Sequence, residues 1–285
     1  MALWPRSSRG QAIGALALTA VLALSGCGGG SGSSSTSATT GGGTAAGGAK
    51  LVTPGKLTTC TNIPYEPFQF KDASGKVVGF DVDIVDLVAK KLGVQQQIVD
   101  IDFAVIKSGA AMATGKCDVA AAGMTITPER KQNITFSEPY FDATQALLAK
   151  KGTGAKSLED VKAKGLKLGA QASTTGLDYV KKQGFDPTEY ADSSKELLAL
   201  QAGQADVIVQ DLPVVLTWLK KPEIADKFEL IASLDTGEQY GIGLKKNADP
   251  VLLKTINDTI TQAKADGTYE KIFVKWFGKK PGELS

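Results

Sequence analysis

The sequence predicts an α/β protein folded as two lobes, each a sheet flanked by helices. From Lys56 to Ser285, short apolar runs alternate with helical stretches, the order expected of βαβ units. After a polar loop from Lys150 to Lys156 the same order begins again. The part able to form a core is about 230 residues long, which suits two lobes better than one.

The chain opens on a segment that is not part of that core. Residues 1–26 hold Arg6 and Arg9, no acidic residue, and an apolar run from Ala12 to Leu24 broken only by Gly14 and Thr19. This is a signal-peptide layout, short for a membrane span. It ends in Leu24-Ser25-Gly26-Cys27, similar to the lipobox of bacterial lipoproteins, in which the cysteine thiol is acylated and the chain is cut just before it. A soluble secreted chain with an incidental cysteine is the alternative. Residues 27–50 are almost wholly Gly, Ser, Thr and Ala and read as a flexible tether.

Composition narrows the chemistry. Without residues 1–26, which carry two arginines and no acid, the chain has 30 basic and 30 acidic residues, no footprint for nucleic acid. There is no histidine, which removes Ser/His/Asp and Cys/His catalysis and most zinc sites; no metal or cofactor is expected. Cys60 and Cys117 remain after Cys27, and a bridge between them is permitted outside the cytoplasm; spacing alone leaves it open.

Leu57 to Asn62 reads as a strand, followed by a loop at Tyr65-Glu66-Pro67-Phe68. Asp81 is positioned to cap a helix with Ile84, Leu87, Val88 and Leu92 on one stripe, ending at Gly93. A strand at Ile98 to Ile101, a weaker helix from Ile106 to Ala113 and a buried strand from Cys117 to Gly123 complete the first series. The second has an apolar strand from Gln145 to Ala149, a helix capped by Ser157, and a strand from Leu166 to Ala170. A polar turn, Gln171 to Gly176, leads into a helix ending at Lys182 and a strand near Thr188 to Tyr190. Further elements are a helix from Ser194 to Gln201, a strand from Asp206 to Gln210, a helix from Pro213 to Leu219 and a strand from Phe228 to Ser233. Gly241 to Lys245 and helices at Pro250 to Ala265 and Tyr269 to Trp276 have the wrong period for more sheet core.

One stretch, Gly123 to Tyr140, concentrates ligand-binding chemistry. Thr127 suits an N-cap and Pro128 a first helical position, so a helix is expected to begin there with Arg130 in its first turn. A cation beside a helix N-terminus is mildly unfavourable unless an anion sits between them. The plain alternative is an Arg130 turned to water beside Glu129. Asp211 ends a strand, where open α/β sheets bind ligands, or caps the helix ahead of Pro213. Thr174 and Thr175 read equally as anion ligands and as N-caps. Tyr65 is a candidate ligand platform and Phe68 a core aromatic.

Taken together, these motifs resemble the bacterial extracellular solute-binding proteins of family 3, the polar amino-acid receptors of ABC importers. The similarity spans about Lys56 to Gly278. It rests on Tyr65-x-Pro-Phe68, Gly79-Phe80-Asp81-Val82-Asp83, Gly123-x-Thr-Ile-Thr-x-Glu-Arg130, Phe136-Ser-x-Pro-Tyr140 and the aspartate after the Asp206 strand. The resemblance implies the type II periplasmic-binding-protein fold: two mainly parallel sheets with helices, joined by two crossing hinge strands that close on a free amino acid. It assigns residues 51–144 and 241–285 to lobe 1 and 145–240 to lobe 2. It further implies that Arg130, with Thr125, Thr175 and Thr174, grips the α-carboxylate and that Asp211 takes the α-ammonium. Tyr65 would cover one side of the ligand; Gly123 and Met124 belong to the same set; Asn62, Gln171, Gln210 and Phe103 would line the side-chain pocket. Relatives that prefer cationic ligands often carry an aspartate where Asn62 stands, so a polar neutral or acidic ligand is expected.

The resemblance also implies a monomeric, non-enzymatic receptor, lipid-anchored outside the cytoplasm and serving ABC permease subunits with cytoplasmic ATPases. An enzyme on the same fold, a dehydratase or a lytic transglycosylase, needs an unpaired acid/base carboxylate, and Glu66 is the only obvious acid near the mouth. A sensor ectodomain acting through a separate partner is the third reading.

Overall fold

The computed structural model describes residues 46–284. The expected signal peptide, Cys27 and most of the tether lie outside them. The last tether residues are already packed: Ala49 is buried, and the Lys50 N–H donates to Asp249 Oδ2 at 3.0 Å.

In chain order the elements of the first half are β1 (Lys56–Thr61), β2 (Phe70–Lys71), β3 (Val77–Val78), α1 (Phe80–Lys91), β4 (Gln95–Asp100), α2 (Phe103–Lys107), α3 (Ala110–Ala113), β5 (Val119–Ala120), β6 (Ile134–Phe136) and β7 (Phe141–Lys150). There follow α4 (Leu158–Ala163), β8 (Leu168–Gln171), α5 (Thr175–Lys182), β9 (Thr188–Tyr190), α6 (Ser193–Gln201), β10 (Val207–Asp211), α7 (Leu212–Trp218), α8 (Pro222–Ala225), β11 (Phe228–Tyr240), β12 (Gly243–Lys245), α9 (Pro250–Ala265) and α10 (Thr268–Phe277).

Two five-stranded sheets centre the two lobes, ordered β4-β1-β5-β12-β6 and β11-β7-β10-β8-β9. The parallel pairing expected from βαβ units holds for β4-β1-β5 and for β10-β8-β9. The other half of each sheet is antiparallel, because β6, β7, β11 and β12 are the strands by which the chain leaves and re-enters a lobe. Gly241 to Lys245 is therefore not outside the sheet core. β12 lies within the first sheet between β5 and β6, too short to show a period but buried at Gly243 and Leu244.

β7 and β11 form the crossing. They pair antiparallel from Phe141↔Tyr240 to Lys150↔Phe228. β11 is much longer than the expected Phe228 to Ser233, because five of its thirteen residues are exposed and most of the rest only half-buried, which breaks the apolar run. An aromatic cluster packs beneath this crossing: Phe68 lies with its ring centroid 5.1 Å from Phe141 and 5.3 Å from Tyr240, and Phe80 5.1 Å from Phe277. Phe68 is fully buried, as its sequence context suggested.

Asp81 is not the cap of α1. The helix begins at Phe80 after Gly79, and Asp81, 1 % exposed, turns inward. Its Oδ2 accepts the Gly123 N–H and its Oδ1 the Tyr140 hydroxyl, both at 2.8 Å, tying the loop after β5 to the start of the crossing. Burial pushes its carboxyl up to about 7. Cys60 and Cys117 are bridged, fastening β1 to the segment ahead of β5.

Candidate functional site

The chain turns sharply after β5. Gly123 adopts φ 55°, and Thr125 forms an isolated antiparallel bridge with Tyr240 of β11. Alternation along this extended segment sends Met124 into the core beside Ile134 and Gly243, so Met124 does not face the cleft and drops out of the expected ligand set. The helix predicted from Thr127 is a single 3-10 turn, Arg130–Gln132. Thr127 does act as a cap, its Oγ1 accepting the Arg130 N–H at 3.1 Å. The turn stops because Ile134–Phe136 is drawn into the sheet against β12.

Arg130 is not turned to water. It is 4 % exposed and lines a cleft between the lobes. Nη1 donates to the Thr125 carbonyl at 2.8 Å and Nη2 to the Ser173 carbonyl at 3.3 Å, and the guanidinium carbon stands 5.5 Å from the Phe103 ring centre. Burial lowers its pKa, while the charges of Glu238, Asp178 and Asp211 hold it up. No carboxylate forms an ion pair with it among the described residues. A guanidinium has five N–H donors in a planar fork, so several remain to meet an oxyanion.

Asp211 lines the same cleft from the other lobe, 7 % exposed at the end of β10. Its carboxylate does not cap α7. Oδ2 accepts the Tyr65 and Tyr240 hydroxyls, and Oδ1 accepts Gln145 Nε2 at 2.5 Å. Burial lifts the carboxyl to about 6 against these hydrogen bonds. It too has no oppositely charged partner among the described residues.

The two threonines divide the roles that the sequence left open. Thr174 caps α5, accepting the Leu177 N–H at 3.2 Å and donating to the Gln171 carbonyl at 2.7 Å. Thr175 reaches across the cleft: its hydroxyl stands 3.3 Å from that of Thr125 and 3.0 Å from Glu238 Oε2. Ser193 Oγ donates to the Pro64 carbonyl at 2.8 Å, and Lys221 pairs with Glu66 at 3.2 Å, so the cleft is shut by direct contacts between lobes. Glu66, the one acid an enzyme reading could use, is thereby ion-paired.

Asn62, Tyr65, Phe103, Gln171 and Gln210 also line the cleft. Asn62 Nδ2 is committed to the Ile101 carbonyl at 3.0 Å. Sequence reasoning missed Gln69, Gln145, Glu238 and Tyr240. Gln145 carried the one usable signal, a lone amide within an apolar run; Glu238 and Tyr240 are defined only by the register of β11 against β7.

Residues 57–279 match the family described as bacterial extracellular solute-binding proteins, family 3. The chain belongs to this family. A probable histidine-binding protein of Neisseria gonorrhoeae is 34 % identical over 281 residues, 95 % of this chain and 96 % of that one. The glutamine-binding protein GlnH of Bacillus subtilis is 32 % identical over 214 residues, 74 % and 77 % of the two chains. Among solved structures, an ancestral arginine-binding protein, bound to glutamine in one structure and to arginine in another, is 41 % identical at a TM-score of 0.73, covering 79 % of this chain and 99 % of that one. This family 3 protein is a binder and not an enzyme, as those relatives are. The family's setting places it outside the cytoplasm, where a Cys60–Cys117 bridge persists. Within the family fold, the arrangement offers one buried cation and one buried anion, set on opposite lobes and facing one cleft.

Proposed function

We propose that this protein captures one free L-amino acid between Arg130 and Asp211 and delivers it to the permease of an ABC importer. The observation that carries this reading is the pair of buried, opposite and mutually unpaired charges across a hinge. A charge removed from water is costly until an opposite charge meets it, and an α-carboxylate with an α-ammonium supplies both. Arg130, aided by Thr125 and Thr175, takes the carboxylate as a fork; Asp211 takes the ammonium, and Tyr65 closes over the ligand. Because the grips stand on different lobes, the ligand makes all its contacts only in the shut state and so drives closure.

The ligand's side chain is polar and neutral, or acidic. Asn62, Gln69, Phe103 and Gln171 bring no fixed charge to the cleft wall. Residues 51–144 with 241–285 act as one rigid lobe and 145–240 as the other, swinging about β7 and β11. The protein works as a monomer held at the outer face of the membrane by acylated Cys27.

The test is calorimetric titration and thermal shift of purified protein against the common L-amino acids, beside Arg130→Ala. One or a few amino acids should bind stoichiometrically. The variant should lose about 3–5 kcal/mol, about 150- to 4,000-fold in affinity, because a buried ligand carboxylate is left unpaired. Unimpaired binding by Arg130→Ala would overturn the assignment.

A further inference from the structure

One buried acceptor in the cleft wall is left without a donor. Gln69 is fully buried and lines the cleft, yet its Oε1 has no partner among the described residues. An unpaired buried oxygen costs about as much as a lost hydrogen bond, so a ligand group that meets it is favoured.

The main chain decides which end of this amide is free. The N–H and the carbonyl of Gln69 are both spent on Tyr65, at 3.0 and 2.7 Å, so the side-chain amide is the polar group it brings to the wall. Gln69 Nε2 donates to the Asn62 main-chain carbonyl at 3.2 Å. That carbonyl can only accept, so turning the amide over would set oxygen against oxygen, and Oε1 is the end left for a ligand. Asn62, also in the wall, repeats the arrangement: Nδ2 donates to the Ile101 main-chain carbonyl at 3.0 Å, which leaves Oδ1 free. Neither orientation depends on a partner that can itself turn or change its protonation.

Two carbonyl oxygens at the wall call for N–H donors. A ligand carboxylate has none and would set its lone pairs against theirs, and an apolar side chain would leave Oε1 unpaired. A primary amide brings two N–H donors without a charge. Asp211 is the only acid among the described residues lining the cleft, and the clamp takes it, so a cationic side chain would find no carboxylate there. We propose that Gln69 is a specificity-determining residue: held by the Asn62 main chain, it presents a carbonyl oxygen to the ligand's side chain and, with Asn62 Oδ1, selects an amino acid ending in a primary amide. This rests on the amino-acid clamp proposed above and narrows its ligand class from polar neutral or acidic to the amide.

The experiment titrates the full-length protein calorimetrically with L-glutamine, L-glutamate, L-norleucine and L-arginine. Wild type should bind L-glutamine at least about tenfold more tightly than each of the others, as one satisfied buried group is worth. Gln69→Met keeps much of the bulk and removes the oxygen, and the glutamine-to-norleucine ratio should narrow by about tenfold. Asn62→Ala removes Oδ1 but keeps the main-chain carbonyl that anchors Gln69; the same ratio should narrow by a smaller factor, since Asn62 is only half-buried. Ratios rather than affinities are read, because a merely structural role would weaken every ligand alike. Should Gln69→Met fail to fold, the wild-type order of ligands and Asn62→Ala decide. Wild type that binds any of the other three as tightly as L-glutamine overturns the selection, as do wild-type ratios in the variants. Arg130→Ala, run in parallel, tells the two failures apart. Loss of all binding there with an unchanged Gln69→Met ratio sinks only the selection, whereas unaltered binding sinks the clamp and the selection with it.

Discussion

Gly123→Ala separates the cost of the scaffold from the cost of the grip. Gly123 has φ 55°, a left-handed conformation that alanine adopts at a cost of about 1–2 kcal/mol. The added Cβ would also stand 2.8 Å from Tyr65 Cε1 and 3.3 Å from Tyr65 Cδ1. Gly115 is the control: its φ is 71° and nothing lies within 4 Å of where a Cβ would go. Both variants should therefore lose about 2–8 °C in Tm for the backbone, at 2–4 °C per kcal/mol in a chain of this size. Only Gly123→Ala also presses on the Tyr65 ring, whose hydroxyl reaches Asp211 on the other lobe. Tyr65 and Gly123 share a lobe, so the ring is free to swing aside when the cleft is open and is held when it is shut. The overpacking, about 1–3 kcal/mol, falls on closure. It should appear as L-glutamine affinity weakened about 5- to 150-fold, with no counterpart in Gly115→Ala. Thermal unfolding of the ligand-free protein and calorimetric titration measure the two parts separately. Equal stability losses together with wild-type affinity in Gly123→Ala would refute the reasoning.

Three further outcomes are expected. With Asp211 titrating at about 6, L-glutamine affinity should be flat above about pH 7 and fall by up to about tenfold per unit below 6, because a neutral carboxyl cannot pair with an ammonium; calorimetry across that range checks it. Stability of the ligand-free protein runs the other way. Asp81 at about 7 and Asp211 at about 6 both lie above the ordinary 3.8, so the stability they contribute is complete below about pH 4 and lost as pH rises through 6 and 7. Asp81→Asn should flatten the upper part of that decline in Tm, and a profile identical to wild type would contradict the role of Asp81 in it. Cys60 and Cys117 are 57 residues apart, so loop entropy gives the bridge about 4 kcal/mol; the double Cys→Ser variant should melt about 8–16 °C lower, and an unchanged Tm would show the bridge to be idle.

The elements most legible in the sequence were those whose cause is local. Ser157 caps α4 by accepting the Asp160 N–H at 3.3 Å, and Thr174 caps α5 in the same manner. β9 lies at Thr188–Tyr190, as the pattern placed it. The errors share a cause as well. Thr127 and Pro128 favour a helix locally, but pairing of Ile134–Phe136 with β12 outweighs one short helix. Asp81 has the chemistry of a cap, yet the Gly123 N–H and the Tyr140 hydroxyl, 42 and 59 residues away, take its carboxylate.

The candidate site divides along the same line. By itself the sequence determined the two-lobed α/β class, the positions of most helices, and the residue types able to hold a zwitterion, since periodicity, caps and side-chain chemistry are properties of neighbours in the chain. Only the tertiary structure decided that Arg130 is buried without a carboxylate, that Thr125 and Thr175 meet, and that Gln145 meets Asp211. Those facts depend on strand register and on the approach of two lobes, and contacts between residues far apart in sequence leave no local pattern to read.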